Sequence, residues 1–173
     1  VTPYLPHRVD EGHGLSNAAI DTLVEQGVSL IVTVDTGVTS FAEVDYAKSR
    51  GVDVIITDHH LAHDGVPNAV TVLNPKIPGG DYPFFELCGA GIGFKLIQGL
   101  FEFYGQPWDS SLLELAALGT IADLVPLLDE NRYLVREGLR ELANTRRPGL
   151  RALYGSARVD PAEITAETVS FQI

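Results

Sequence analysis

Three short runs of apolar, β-branched residues constrain this chain more than any other feature. They are Val-Ser-Leu-Ile-Val-Thr-Val-Asp at 28–35, Val-Asp-Val-Ile-Ile-Thr-Asp at 52–58 and Ala-Val-Thr-Val-Leu-Asn at 69–74. Near-continuous runs of this kind are typical of strands in a parallel sheet buried on both faces. Between the first two, Ser40 and Glu43 form a capping box, Val44 and Ala47 point inward, and Gly51 stops the helix. Strand, helix and strand over 28–58 thus make one βαβ unit. Ahead of it, Ser16 caps a helix with Ala19, Ile20, Leu23 and Val24 on one face, ended by Gly27.

The second half reads as helical. Residues 91–104 align Ile92, Leu96, Leu100 and Phe103. Ser111 and Glu114 suggest another capping box, opening a helix so apolar (Leu112, Leu113, Leu115, Ala116, Leu118, Ile121) that it must be buried. Residues 130–144 are amphipathic through Val135, Leu139 and Leu142, and Asp160-Pro161 with Glu163 starts a last helix. The expected fold is α/β: a parallel sheet flanked by helices, then a mainly helical C-terminal part. Residues 1–143 form the core and 144–173 begin a connecting helical segment.

Composition narrows the class. With 173 residues and 45% apolar content, the chain can bury a real core. The single cysteine, Cys88, excludes an internal disulfide framework and fits a reducing, cytoplasmic setting. No apolar run approaches the roughly 18 residues of a membrane span. The sequence holds no methionine and stops in apolar residues at Ile173, so both ends read as cuts. The net charge of −11 has two readings. One is an acidic domain that never meets nucleic acid; the other is that acids build a cation site while basic DNA-binding surface lies elsewhere.

Asp35 and Asp58 each end a strand, which places both at the carboxyl edge of one parallel sheet, where open α/β folds bind ligands. Adjacent strands lie about 5 Å apart, so these side chains can converge on an ion. His59 and His60 extend into the same space. Neighbouring side chains diverge along an extended segment, so at most one of the two is expected to ligate a given metal. An Asp before Thr-Gly is also an ordinary turn former, and a His-His pair in a loop an ordinary solvated pair. Asp123 ends the apolar helix, where a lone carboxylate opposes the helix dipole unless a cation is near. Read plainly, it is also a helix-terminating Asp before a proline turn.

The glycine-rich Gly89-Ala-Gly91-Ile-Gly93-Phe-Lys95 is no phosphate loop, because Phe94 precedes Lys95 and Leu96 follows it. Small residues such as Gly91 and Gly93 at a helix start still leave backbone N–H groups open to a phosphate, and close helix packing explains them equally well. Arg8 and the pair Arg146-Arg147 are phosphate-holding candidates, or plain surface charge.

Val34-Asp35-Thr36-Gly37, Asp58-His59-His60 and Gly119-Thr-Ile-Ala-Asp123 resemble, in order and spacing, the second, third and fourth motifs of the DHH phosphoesterases. Residues 6–14, 89–95 and 144–151 resemble RecJ-type exonucleases within that superfamily. The resemblance implies that Asp35 bridges two Mn2+ or Mg2+ ions, with His59 and Asp123 as further ligands and Asp58 orienting them from behind. It implies that His60 contacts the scissile phosphate, that Arg8 holds another phosphate, and that nucleotides are released from the 5′ end of single-stranded DNA. Helicase and single-strand-binding partners would come with the whole protein, and no membrane. The family's first motif, an Asp-x-Asp pair, is absent. Asp35, His59 and Asp123 are too few to saturate two ions, so the chain alone is expected to bind metal weakly and cleave poorly. An exposed sheet edge is expected too, with self-association as its consequence. Other DHH enzymes (an oligoribonuclease, a cyclic-dinucleotide phosphodiesterase, a pyrophosphatase) and a non-catalytic DNA or replication scaffold are the alternatives. The segments around Arg8 and Arg146 argue against the former, and the intact Asp35, His59 and Asp123 against the latter.

Overall fold

The computed structural model describes residues 1–173, which form two compact units, Val1–Pro83 and Phe84–Ile173. The first contains α1 (Asn17–Glu25), β1 (Leu30–Val34), α2 (Phe41–Ser49), β2 (Asp53–Thr57) and β3 (Thr71–Leu73). The strands are parallel in the order β1-β2-β3, with Leu30 to Val34 in register with Asp53 to Thr57. All three apolar runs became strands, as their composition required. Ile20 and Leu23 of α1 and Val44 and Ala47 of α2 pack on Ile31, Val54 and Ile56 of the sheet.

The expectation of strands buried on both faces fails at β1. Leu30, Val32 and Val34 are exposed by 48%, 44% and 57%, alternating with buried Ile31 and Thr33. The strand lies at one edge of the sheet, and the helix core covers only one of its faces. Ser16 caps α1 as expected, its Oγ accepting from the Ala19 N–H at 3.1 Å. Ser40 makes no such bond; its own N–H donates to the Gly37 carbonyl, and backbone closes that turn.

The second unit contains α3 (Gly89–Phe103), α4 (Leu112–Ala122), α5 (Asp129–Ala143), α6 (Pro148–Ala157), a 3-10 turn at Pro161–Glu163, and α7 (Ala166–Gln172). α3 starts two residues early because Cys88 caps it, its Sγ accepting from the Gly91 N–H at 3.2 Å. The stripe read on α3 is buried only at its start: Ile92 is in the core, while Leu100 and Phe103 are exposed. Close packing sets the helix spacing. A Cβ on Gly138 of α5 would lie 2.3 Å from Ala117 Cβ and 2.4 Å from the Leu113 carbonyl oxygen of α4. Proline at 161 opens only the 3-10 turn; the last helix begins later, capped by Thr165 on the Thr168 N–H.

Glu114 does not form a capping box. It is buried in the middle of the unit, where Arg147 Nε donates to its Oε2 at 2.9 Å and Thr145 Oγ1 at 3.0 Å. This fixes the segment between α5 and α6 to α4 and takes Arg147 out of the pool of free surface charge, leaving Arg146 exposed beside it. A buried carboxylate without a partner is costly. Arg147→Ala should therefore lower stability by about 2 kcal/mol in urea unfolding, less than a fully buried pair because the guanidinium is partly solvated, whereas Arg146→Ala should change little.

Tyr154 packs with Ala117, Ile121, Val135, Leu142 and Val169, and its hydroxyl donates to the Leu142 carbonyl at 3.2 Å. Burial, and then the Glu114 charge, push its phenol above the ordinary tyrosine value. The stability it contributes is thus complete below about pH 10 and is lost as pH rises through the higher folded-state value. The stability difference between the native chain and Tyr154→Phe should be flat up to about pH 10 and shrink above it, as read by denaturant midpoints against pH.

Candidate metal centre

Asp35 follows the last residue of β1 and remains in its ladder, donating its N–H to the Thr57 carbonyl at 2.9 Å. Its backbone then turns into the left-handed region at φ 64°. That conformation is uncommon outside glycine, although Asp tolerates it better than most residues. Gly37 completes the turn at φ 111°, where a Cβ would lie 3.0 Å from Thr33 Oγ1 and 3.4 Å from Ile56. Glycine at 37, two residues after Asp35, is thus a geometric requirement. Thr33 Oγ1 donates to the Thr36 carbonyl at 2.7 Å, and the Val38 N–H donates to Asp58 Oδ2 at 2.9 Å.

Asp58 sits at the end of β2, 1% exposed. Its Oδ1 accepts from the His59 N–H at 2.8 Å, the His60 N–H at 3.2 Å and His60 Nδ1 at 2.6 Å. Burial by itself pushes this carboxyl up. The Val38 amide, the His60 side chain and amide, and the His60 charge outweigh burial and hold it below the ordinary aspartate value. Against an ionised carboxylate at 2.6 Å, the Nδ1 of His60 is the nitrogen that donates, and the ring is thereby oriented.

Because the backbone folds back on Asp58, residues 58–60 are not extended. The two rings therefore do not diverge: their centroids are 4.6 Å apart at a tilt of 57°. His59 Nε2 lies 3.1 Å from Asp35 Oδ1, with the histidine side chain 10% and the aspartate 53% exposed. One donor atom from each of Asp35, His59 and His60 lies within 4.8 Å of the others. An ion that binds oxygen and nitrogen at about 2.1–2.2 Å holds adjacent ligands about 3 Å apart. The imidazole–carboxylate spacing fits one edge of such a polyhedron, and the mixed nitrogen and oxygen donors suit Mn2+ better than the all-oxygen preference of Mg2+.

The other residues singled out from the sequence belong to other segments of the chain. Arg8 is exposed in a turn whose flanks are tied by Tyr4 to Glu11 at 2.6 Å and His7 to Asp10 at 2.7 Å. Asp123 belongs to the second unit, where it ends α4 with its N–H on the Gly119 carbonyl. Leu124 after it is left-handed at φ 58° and 82% exposed. Gly91, in the same unit, packs against Leu87, Cys88 and Leu134, and Gly93 is partly buried. Lys95 pairs with Glu130 at 2.9 Å. Sequence reasoning missed the buried threonines Thr33 and Thr57; a hydroxyl at the last turns of two apolar strands was the available signal.

The profile described as "DHH family, N-terminal domain" matches residues 1–120. The chain belongs to the DHH family. Among curated relatives, this family member is 47% identical over 170 residues to the single-stranded-DNA-specific exonuclease RecJ of Bacillus subtilis, covering 98% of the chain and 21% of that protein. It is 38% identical over 181 residues to the protein of the same name from Escherichia coli, covering 98% and 31%. A crystal structure of exonuclease RecJ bound to manganese superposes with a TM-score of 0.87 at 35% identity, over 99% of this chain and 43% of that one. RecJ of Thermus thermophilus in complex with Mn2+ gives 0.78 at 34% identity, over 91% and 23%. The chain thus spans only part of the relatives it matches. The parallel sheet with flanking helices is the fold shared with those structures.

Replacing Asp58 by alanine should release the His60 ring. In a long-range proton–nitrogen correlation spectrum at pH 8, native His60 should show its proton on Nδ1. Asp58→Ala should move population to the Nε2–H form. An unchanged tautomer would mean that Asp58 does not orient the ring.

Proposed function

We propose that this chain is the metal-binding core of an exonuclease that hydrolyses single-stranded DNA from its 5′ end with Mn2+ or Mg2+. The observation that carries the reading is the convergence of Asp35, His59 and His60 donors within 4.8 Å, with buried Asp58 behind them. The relatives described above are named as single-stranded-DNA-specific exonucleases, which supports this substrate class over other DHH chemistry.

In this reading Asp35, His59 and Asp123 hold metal, and Asp58 orients its neighbours. Bound divalent ions would supply an activated water and neutralise charge on the phosphate. The chain's own residues do the rest. Asp35 offers a half-open carboxylate on a turn that cannot relax easily, and His59 is held against it. His60, with Nδ1 anchored on Asp58, keeps Nε2 for meeting a phosphate ester or its proton. Arg8 supplies a permanent positive charge for a second phosphate. Gly91 and Gly93 add backbone amides only where packing leaves them open; the Gly91 N–H is already given to Cys88. Helicase and single-strand-binding partners, and a cytoplasmic setting, belong to the same reading. No helix is long and apolar enough to cross a membrane.

The test is calorimetric titration of Mn2+ into the chain, with Asp35→Asn and His59→Ala beside it. Saturable binding weakened about tenfold or more by either substitution is expected. Equal or absent binding in all three would mean either that the missing Asp-x-Asp motif is indispensable for metal or that the site is wrong, and a titration with that motif restored separates the two. In a longer protein that supplies the Asp-x-Asp motif absent here, His60→Ala should lower Mn2+-dependent nucleotide release from a 5′-labelled single-stranded oligonucleotide by about 100-fold and leave Mn2+ affinity less affected.

A further inference from the structure

Asp35 keeps a left-handed backbone although it is a half-exposed, non-glycine residue. Such conformations persist only where the surroundings over-determine them. Two threonine hydroxyls do so here. Thr57 Oγ1 donates to the Thr33 carbonyl at 2.7 Å, which reinforces the ladder just before the turn. Thr33 Oγ1 donates to the Thr36 carbonyl at 2.7 Å, which closes the turn just after Asp35. The Asp35 N–H, on the Thr57 carbonyl, lies between these two bonds. In register, Thr57 pairs with Val34 and Thr33 with Ile56, so the hydroxyls grip the strand ends from opposite faces of the sheet.

Packing alone does not ask for threonine at these positions. Thr33 is 5% and Thr57 0% exposed, on strands otherwise built from Val, Ile and Leu. Valine has the same shape and buries without a hydroxyl. The local need is for donors aimed at two carbonyls that flank one strained residue.

We infer that Thr33, relayed by Thr57, is a positioning residue that sets the Asp35 carboxylate against His59 for metal binding. The inference rests on the metal reading above and extends it to groups that touch no ion. Removing the Thr33 hydroxyl lets Asp35 leave the left-handed basin, so its carboxylate spends less time 3.1 Å from His59 Nε2. Loss of a supporting hydrogen bond behind a metal ligand typically lowers affinity 10–100-fold.

The experiment compares the native chain with Thr33→Val, Thr33→Ser, Thr57→Val and, as the control on the metal reading, Asp35→Asn. Three quantities are measured on each: the melting temperature, Mn2+ affinity by calorimetry, and metal-free hydrogen exchange at the Asp35 and Val38 amides. Thr33→Val is expected to melt within a few degrees of the native chain, exchange at least tenfold faster at both amides, and bind Mn2+ about tenfold more weakly. Thr33→Ser should restore exchange and affinity, and Thr57→Val should fall between. If Asp35→Asn weakens Mn2+ but Thr33→Val does not, the positioning role is wrong while the metal site stands. If Asp35→Asn leaves Mn2+ binding unchanged, the metal reading falls. Exchange then decides the turn by itself, and native-like exchange in Thr33→Val overturns the clamp as well. Should Thr33→Val unfold, Thr57→Val carries the test with Thr33→Ser, which keeps both hydroxyls, as its control: native-like exchange and Mn2+ affinity in Thr57→Val would overturn the clamp.

Discussion

One buried carboxylate organises the sheet edge. Asp58 accepts from the Val38, His59 and His60 amides and from the His60 ring, so a single side chain ties the turn after β1 to the loop after β2. Burying an ion is expensive, and four N–H donors make it tolerable by replacing the water the carboxylate lost. The direction of its acidity shift says which side wins: the donors outweigh the burial. Through Oδ1 His60 is oriented and the His59 amide is held, and through Oδ2 the turn carrying Asp35 is anchored at its far end.

The second unit shows the same device in a structural setting. Glu114 is as deeply buried as Asp58, but its donors are an arginine and a threonine from beyond α5. One acid organises a site and the other a junction. The difference lies in what remains available: Asp58 leaves an imidazole nitrogen and a half-open carboxylate, whereas Glu114 leaves nothing.

Much of this was legible from sequence, for identifiable reasons. Apolar β-branched runs have few alternatives to buried strands, and the aspartates that end the first two must lie at the carboxyl edge. The family resemblance, carried by those same residues, agrees with the match over residues 1–120. Long-range partners were not legible. The spacing of Ser111 and Glu114 is the same whether the glutamate turns back to its cap or reaches an arginine in a distant segment. α6 was expected only as part of a helical segment over 144–173, and its start was not legible because Pro148-Gly149 reads equally well as a turn. The expected divergence of His59 and His60 assumed an extended backbone, and the hydrogen bonds to Asp58 bend it. The solvent-facing side of β1 escaped notice because an apolar run does not say which of its faces is covered.

The left-handed turn at Asp35 also limits which substitutions this position can survive. On conformational grounds the tolerant replacements are glycine and asparagine, whose backbones enter that region at little cost. Neither carries a negative charge. Glutamate keeps the charge but has no special ease in that region, and its extra methylene carries the carboxylate away from His59. Main-chain shape and electrostatics therefore filter position 35 independently, and aspartate joins ease in the left-handed region to a negative charge. Glycine and asparagine keep the turn without the charge, and glutamate keeps the charge without the turn.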